Sequence, residues 1–395
     1  MKIIDIRKYC KENFRIITKY KNKIYYYKAD ESNSEFILEI YYYDIDNNRE
    51  YKIKNMNILT DEFYNGEVKT YENNILFSNI NKDKLDIFKV NMDEDKIDKI
   101  ATIKINQDYY RGINFLGERY LIIYLNESKI DDNDYDIQKE LQGFYNKAYL
   151  YDIVDAKKYQ IYDKRIILGV RDRLEYYKYQ KKEYIVFEQA YMEDYEQEQL
   201  YKENLKKEDY YQESFEESLN IIDLEIFINE IKKFYKIISF KELHKTQLSG
   251  WTRYFSMDEN YIYYRTKDFE YNIEKIYCVD KNSLEQKLIH TIEFQKLKDM
   301  DIIYDFENRK IYSQRKINDY TLIEGIYNSN IKIELENSSE RFDFVMDEQY
   351  VLSNYFVEDE ESCKYYLVIR DLKNNKKTTY EGISYAIDDI IILYK

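Results

Sequence analysis

The chain has 395 residues, a formal net charge of −15 at pH 7 and a sequence pI near 5.0. This negative charge argues against broad nucleic-acid binding and against docking on anionic lipid, so neither partner is expected. Hydrophobic residues make up 44% of the chain and the 35% of charged residues are mixed in sign, which argues for a folded core and against disorder.

The cysteines and the N-terminal residues bear on the compartment. Cys10, Cys278 and Cys363 are far apart in sequence and odd in number, which predicts reduced thiols. The first residues carry charge too early and too often for a signal peptide, and no apolar run approaches the length of a membrane span. The sequence therefore predicts a cytoplasmic protein.

A loose repeat recurs seven times along the chain. In each copy an apolar and aromatic run ends in Asp or Asn, a polar turn follows, and a more charged strand-like run comes next. The runs end at Asp44, Asn91, Asp152, Asp223, Asp280, Asn328 and Asp371. Self-similarity of strand-type segments at such spacings is typical of a β-propeller.

In chain order, residues 2–9 are predicted as an N-terminal strand outside the repeats. The first repeat predicts strands at 14–20, 23–28, 36–44 and 50–54, and the second at 67–71, 75–79, 84–91 and 97–105. The fifth predicts 251–257, 261–266, 274–280 and 286–294, and the seventh 341–346, 350–356, 364–371 and 376–380. Strands at 383–386 and 390–394 follow.

These elements predict one all-β propeller domain over residues 1–395. Eight inner strand pairs favour eight blades of four antiparallel strands, with seven blades as the alternative. The N-terminal strand is expected to pair with the last two strands and close the ring, because closure removes exposed sheet edges.

Two repeats are stretched between their second and third strands, at residues 128–143 and 193–217. Because strands alternate in direction, both insertions are expected on one face. The longer one carries seven net negative charges, and Tyr201, Leu205, Tyr211, Phe215 and Leu219 form an imperfect helical stripe. It predicts a helical insertion in the fourth blade, and a solvated loop is the alternative.

The phrase "aromatic-x-x-Asp, turn, Lys-rich strand" carries a resemblance to a known group. It stands at residues 41–44, 149–152 and 276–280. In this respect the chain resembles bacterial TolB-like propellers and the N-terminal propellers of dipeptidyl-peptidases. The resemblance implies the architecture and carries no catalytic residue.

A second regularity concerns arginine. The innermost strand opens with Arg in five repeats, at Arg15, Arg111, Arg173, Arg253 and Arg341, and the only Trp, Trp251, lies beside the fourth. Such a ring of guanidinium groups is suited to a small anion or an acidic peptide at the channel mouth. The alternatives are that each Arg pairs with an acidic residue of a neighbouring blade, and that Trp251 is a core residue.

No catalytic, metal or cofactor motif stands out. Two His and three scattered Cys do not match a zinc cluster, and the aspartates at 131–136 lack the spacing of an EF-hand. The expected function is a non-enzymatic scaffold that binds a protein partner through one face. The alternative is a glycosidase, lyase or lactonase with its site over the central channel.

Overall fold

A computed structural model describes residues 1–10, 14–32, 35–53, 58–60, 67–81, 83–105, 110–126, 146–191, 216–246, 250–296, 300–318, 320–336, 340–358 and 363–394. The fold is an all-β propeller of eight sheets, so the prediction of a propeller with eight blades rather than seven is confirmed. The chain divides into two compact units, with residues 1–75, 89–98 and 297–395 in the first and residues 76–88 and 99–296 in the second.

The strands follow one another in chain order. The first ten are β1 (Lys2–Asp5), β2 (Phe14–Tyr20), β3 (Lys23–Ser32), β4 (Glu35–Asp44), β5 (Arg49–Lys52), β6 (Ile58–Thr60), β7 (Val68–Tyr71), β8 (Asn74–Asn81), β9 (Lys84–Asn91) and β10 (Lys96–Lys104). The next twelve are β11 (Tyr110–Leu116), β12 (Tyr120–Asn126), β13 (Asn146–Asp152), β14 (Lys157–Ile161), β15 (Val170–Tyr179), β16 (Lys182–Tyr191), β17 (Glu216–Asp223), β18 (Lys241–Lys245), β19 (Gly250–Met257), β20 (Tyr261–Asp268), β21 (Ile273–Asp280) and β22 (Gln286–Glu293). The last ten are β23 (Asp301–Asp305), β24 (Lys310–Ile317), β25 (Tyr320–Tyr327), β26 (Lys332–Leu335), β27 (Arg341–Met346), β28 (Tyr350–Glu358), β29 (Cys363–Asp371), β30 (Lys376–Glu381), β31 (Ile383–Ile387) and β32 (Ile390–Tyr394).

Helices are few in the described chain. Helix α1 (Lys164–Gly169) precedes β15 and helix α2 (Leu224–Lys232) lies between β17 and β18. Short 3₁₀ turns occur at Arg7–Tyr9 and Phe294–Lys296. The predicted insertions at 128–143 and 193–217 lie almost entirely outside the described residues, and the helix within the longer one stays a prediction. Leu219, which was counted in its stripe, lies in strand β17 instead.

The sheets differ in strand number. Strands β7 to β30 form six consecutive four-stranded sheets, and β2 to β5 form a sheet that β6 joins by pairing with β4. Strands β31, β32 and β1 form a sheet of three described strands, in which β1 pairs with β32 in parallel. Strand β1 thus pairs with the C-terminal strand β32, whereas closure of the whole ring by this pairing stays a prediction. The N-terminal strand is shorter than predicted, because residues 7–9 turn away in a 3₁₀ turn.

The Asp or Asn that ends six of the seven repeats has a structural cause. The side-chain oxygen of Asp44 accepts hydrogen bonds from the backbone N–H groups of Asp46 and Asn47, which turns the chain from the third strand to the fourth. The same bonds to residues two and three positions ahead recur at Asn91, Asp152, Asp223, Asp280 and Asp371. A short carboxylate or amide is suited to this local bond. The repeated Asp or Asn is therefore a turn signal.

Each unit has its own apolar core. In the first unit, Ile4, Ile6, Tyr26 and Ile392 pack around the paired chain ends. In the second unit, the buried face of α2 joins the strands beside it, and the cluster includes Leu150, Ile166, Leu174, Ile185, Phe187, Phe227, Ile228, Ile231 and Ile238. Tertiary packing of this amphipathic helix supplies most of its stability, since nine residues are too few to hold an isolated helix.

Candidate functional site

Arg253 connects two neighbouring sheets of the second unit. Its guanidinium lies 3.0 Å from one carboxylate oxygen of Glu217 and 3.4 Å from one of Glu188. Both carboxylates are buried on β16 and β17, and both also accept hydrogen bonds from β19 backbone N–H groups, those of Thr252 and Tyr254. Arg253 thus pairs with acidic residues of a neighbouring blade. This kind of pairing is the alternative to anion binding that the sequence left open.

Trp251 lies on the same strand as Arg253 and packs against a buried cation. The Arg265 guanidinium is 5.2 Å from the centre of the Trp251 ring and 5.7 Å from that of Phe255. Arg265 also donates a 2.9 Å hydrogen bond to the buried Glu274 carboxylate. A guanidinium held between aromatic faces and a carboxylate is a stabilising arrangement in a dry environment.

The other four predicted arginines differ in their surroundings. Arg15 is exposed, and its guanidinium lies beside the hydroxyl of Tyr27, where it offsets part of the rise in the pKa of that tyrosine caused by burial. Arg341 is exposed at the start of β27. Arg111 and Arg173 lie within β11 and β15. The predicted binding role of the five arginines and Trp251 stays a prediction.

Three acidic residues of the first unit, Asp305 at the end of β23, Glu307 in the turn that follows and Asp343 on β27, influence one another. Asp343 occupies a bulge in β27, where the register with β28 shifts between Phe342 and Phe344. Surrounding protein atoms and, to a smaller extent, the negative charges of Asp305 and Glu307 together raise the pKa of Asp343 to about 6, although the residue is exposed at the surface. Burial and the charge of Asp305 raise the pKa of Glu307 as well.

The raised pKa of Asp343 makes stability depend on pH. The Asp343 carboxyl has a pKa of about 6 in the folded protein and of 3.8 in the unfolded chain. Its contribution to the free energy of unfolding is therefore complete only below pH 3.8, and it is lost as the pH rises to about 6. We therefore expect Asp343→Asn to raise the free energy of unfolding at pH 7.5 by up to about 1 kcal/mol, since solvent screens an exposed group, and to give no gain at pH 4. Urea unfolding at both pH values measures this, with Asp301→Asn as the exposed control. An equal effect at the two pH values would contradict it.

Among the described residues of the second unit, the largest run of exposed apolar side chains follows helix α2. Residues 233–237, here called the aromatic–lysine loop, are all exposed. Within it Phe234, Tyr235 and Ile237 have relative exposures of 58%, 47% and 72%. Residues 232–241 contain four lysines and no acidic residue, although the whole chain carries −15. Contiguous exposed apolar groups of this kind mark interaction surfaces.

The loop is held on a rigid base. The Asp223 side chain caps α2 by accepting from the backbone N–H groups of Glu225 and Ile226. At the other end, the buried Asp163 carboxylate accepts a 2.7 Å bond from the Ile238 N–H, and Arg165 donates 2.8 Å to the Ile238 carbonyl oxygen.

Two further contacts fix the loop from its sides. Glu230 accepts a 2.6 Å bond from the Ser239 N–H, and the Phe234 ring lies edge-on to Tyr162 at 6.1 Å. The exposed side chains are thus presented by backbone that is already ordered, which lowers the entropy cost of binding.

Sequence reasoning missed this surface, although one signal was present. The signal was four lysines among aromatic residues and Ile with no acidic residue. Residues 19–28 have the same composition with buried Ile24 and Tyr25, so composition alone does not say which apolar residues are exposed. The structure shows Ile231 and Ile238 in the core and residues 233–237 exposed.

Within the described ranges, no three His, Cys, Asp or Glu side chains are arranged to hold a metal ion. No helix there is long and apolar enough to cross a membrane.

Comparisons with known proteins found similarity among solved structures. No family model and no curated protein matches the chain. Among solved structures it is similar to the β-propeller domain of the Trilobed protease from Pyrococcus furiosus, with 12% identity, a TM-score of 0.42, and coverage of 92% of this chain and 95% of the other. It is also similar to TolB from Acinetobacter baumannii, with 10% identity, a TM-score of 0.30, and coverage of 94% and 82%.

Enzymes are among the similar structures too. A prolyl endopeptidase shares 7% identity at a TM-score of 0.46, and the match covers 93% of this chain but only 49% of that protein, so the chain spans about half its length. Oligogalacturonate lyase from Vibrio parahaemolyticus shares 10% identity at a TM-score of 0.44, with coverage of 92% and 98%. At these identities the likeness concerns the fold alone, and TolB and peptidase propellers are among the folds that the sequence resembled.

Proposed function

We propose that this protein is a non-enzymatic scaffold that binds a protein partner. The observation that supports the proposal is the aromatic–lysine loop, residues 233–237, which exposes Phe234, Tyr235 and Ile237 on an ordered base. Burying one large apolar side chain is worth about 1.5–3 kcal/mol. A partner that covers these three side chains therefore gains affinity from a few anchors, as is usual at protein interfaces.

The chemistry of the loop restricts the partner. The lysines at 233 and 236 flank the apolar side chains and are exposed. A partner that offers an apolar pocket with an acidic rim satisfies both groups, since opposite charges steer association and apolar contact supplies affinity.

We expect a photo-crosslinking phenylalanine analogue placed at Tyr235 in the expressing cells to give one discrete protein adduct. The double substitution Phe234→Ser and Ile237→Ser should lower the adduct yield about tenfold, because about 1.4 kcal/mol corresponds to a factor of ten in binding. The same analogue at Tyr271, which is 59% exposed on the turn between β20 and β21, is the control and should give no such adduct. An adduct of equal yield in the double variant would contradict the proposal.

An enzyme is the second candidate, and Asp343 is the observation that favours it. A carboxyl group with a pKa of about 6 is suited to general acid or base catalysis near neutral pH. Screening the purified protein against glycan and lactone panels distinguishes the two candidates. Turnover that disappears in Asp343→Asn and persists in the loop variant would favour the enzyme.

A further inference from the structure

The sheet that joins the two chain ends has an open outer edge within the described chain. It contains β31, β32 and β1, whereas the other sheets have four strands or more. Strand β1 is the outermost of the three and, among the described strands, pairs only with β32, from Lys2 opposite Ile390 to Asp5 opposite Leu393. The place that a fourth strand takes in the other sheets lies beside the free edge of β1.

The backbone of β1 presents hydrogen-bonding groups to that edge. The N–H groups of Lys2 and Ile6 donate 2.9 Å bonds to the carbonyl oxygens of Asp389 and Leu393. Because successive amides of a strand point to opposite edges, the N–H and C=O groups of Ile3 and Asp5 face away from β32. Exposed backbone groups at this spacing are a template for an added strand.

A groove of about 760 Å³ runs along the same edge. One wall is β1 with the turn that follows it, and the other wall is the end of β4 and its turn, with Tyr43, Ile45 and Asn48. At about 3.3 Å per residue, four strand residues span roughly 13 Å. The groove therefore offers a strand-length track with one apolar wall, and all of it lies within the first unit.

The charge of the groove selects its occupant. Arg7 is paired with Asp5 at 2.5 Å, which leaves the positive charges of Lys2 and Lys8 along the track. Two such edges from separate copies would repel each other through these lysines, and lysine on an edge strand is a known protection against self-pairing. An acidic segment is attracted to the same charges.

We propose that the free edge of β1 binds an extended acidic segment of a protein partner by strand addition. Main-chain bonds to Ile3 and Asp5 provide affinity, and the alternation of side chains in the added strand provides specificity. Lys2 lies on the same face of β1 as Ile4, which belongs to one apolar cluster with Tyr43, so acidic side chains of the added strand that point to this face meet Lys2. This site is separate from the aromatic–lysine loop, so either proposal can fail while the other holds.

The test uses a labelled hexapeptide of alternating Glu and Val with blocked ends, titrated against the full-length protein by fluorescence anisotropy. We expect saturable binding, and at least tenfold weaker binding of the corresponding Lys–Val peptide. Two further peptides carry N-methyl groups: in the first peptide every Glu amide is methylated, and in the second every Val amide is methylated. An added strand turns only one set of amides towards β1, so one of these peptides should lose binding and the other keep it.

Two protein variants complete the test. Ile3→Pro removes one amide donor that faces the groove and keeps the bonds of Lys2 and Ile6 to β32. It should therefore weaken binding of the Glu–Val peptide at least tenfold, whereas the control Ile3→Val should leave this binding unchanged. If Ile3→Pro does not fold, Lys2→Glu with Lys8→Glu should reverse the preference towards the Lys–Val peptide. Equal binding of both N-methylated peptides, or of both charge types, would overturn the proposal. The proposal would also be overturned if the protein bound neither peptide and formed a dimer that Ile3→Pro dissociates, since the edge would then bind a second copy of the chain.

Discussion

Replacing Arg253 with methionine should lower the free energy of unfolding by about 3 kcal/mol. The substitution leaves the buried carboxylates of Glu188 and Glu217 without the guanidinium that lies within 3.4 Å of both. Uncompensated buried charge is among the costliest single changes in a protein, and methionine keeps most of the packing of the arginine stem. Urea unfolding followed by the fluorescence of Trp251, the only tryptophan, measures the loss close to the site.

A matched control and a rescue separate this explanation from a general effect of losing an arginine. Arg341 opens β27 as Arg253 lies near the start of β19, but it is exposed, and Arg341→Met should change stability by less than about 0.5 kcal/mol. Adding Glu188→Gln and Glu217→Gln to Arg253→Met should restore part of the lost stability, because the buried charges are then gone. If Arg253→Met alone costs less than about 0.5 kcal/mol, the arginine is not needed for folding and is free to serve as the predicted anion ligand.

Asp163→Ala should destabilise the protein by about 3–4 kcal/mol and also disturb the proposed binding loop. The Asp163 side chain is buried, pairs with Arg165 at 2.6 Å, and accepts the Ile238 N–H that ends the loop. Its loss leaves the Arg165 guanidinium and a buried N–H group without this acceptor, and each unmet group costs free energy. Urea unfolding measures the first effect, and the yield of the crosslinked adduct at Tyr235 measures the second.

The nearby Asp155 is the control for Asp163. It is exposed and contacts Arg119 at 3.2 Å, so Asp155→Ala should cost less than about 1 kcal/mol and leave the adduct yield unchanged. If Asp163→Ala lowers stability and leaves the adduct yield at the wild-type level, the loop does not depend on this anchor for binding.

The sequence alone determined the elements that depend on neighbouring residues. Strand bounds at Phe14–Tyr20, Lys84–Asn91, Arg341–Met346 and Ile390–Tyr394 agree with the predicted ones. Strand alternation and the Asp or Asn that ends each repeat are local properties, because the side-chain oxygen bonds to N–H groups only two or three residues ahead. The number of sheets followed from counting these local units.

Only the tertiary structure decided which side chains meet. Arg253 meets carboxylates 36 and 65 residues away in the chain. The exposure of Phe234 and Ile237 beside the buried Ile238 depends on how α2 packs on its sheets. Such contacts cannot be predicted from the separation of the residues in the sequence, because the packing of whole strands and helices determines which side chains are buried and which pair.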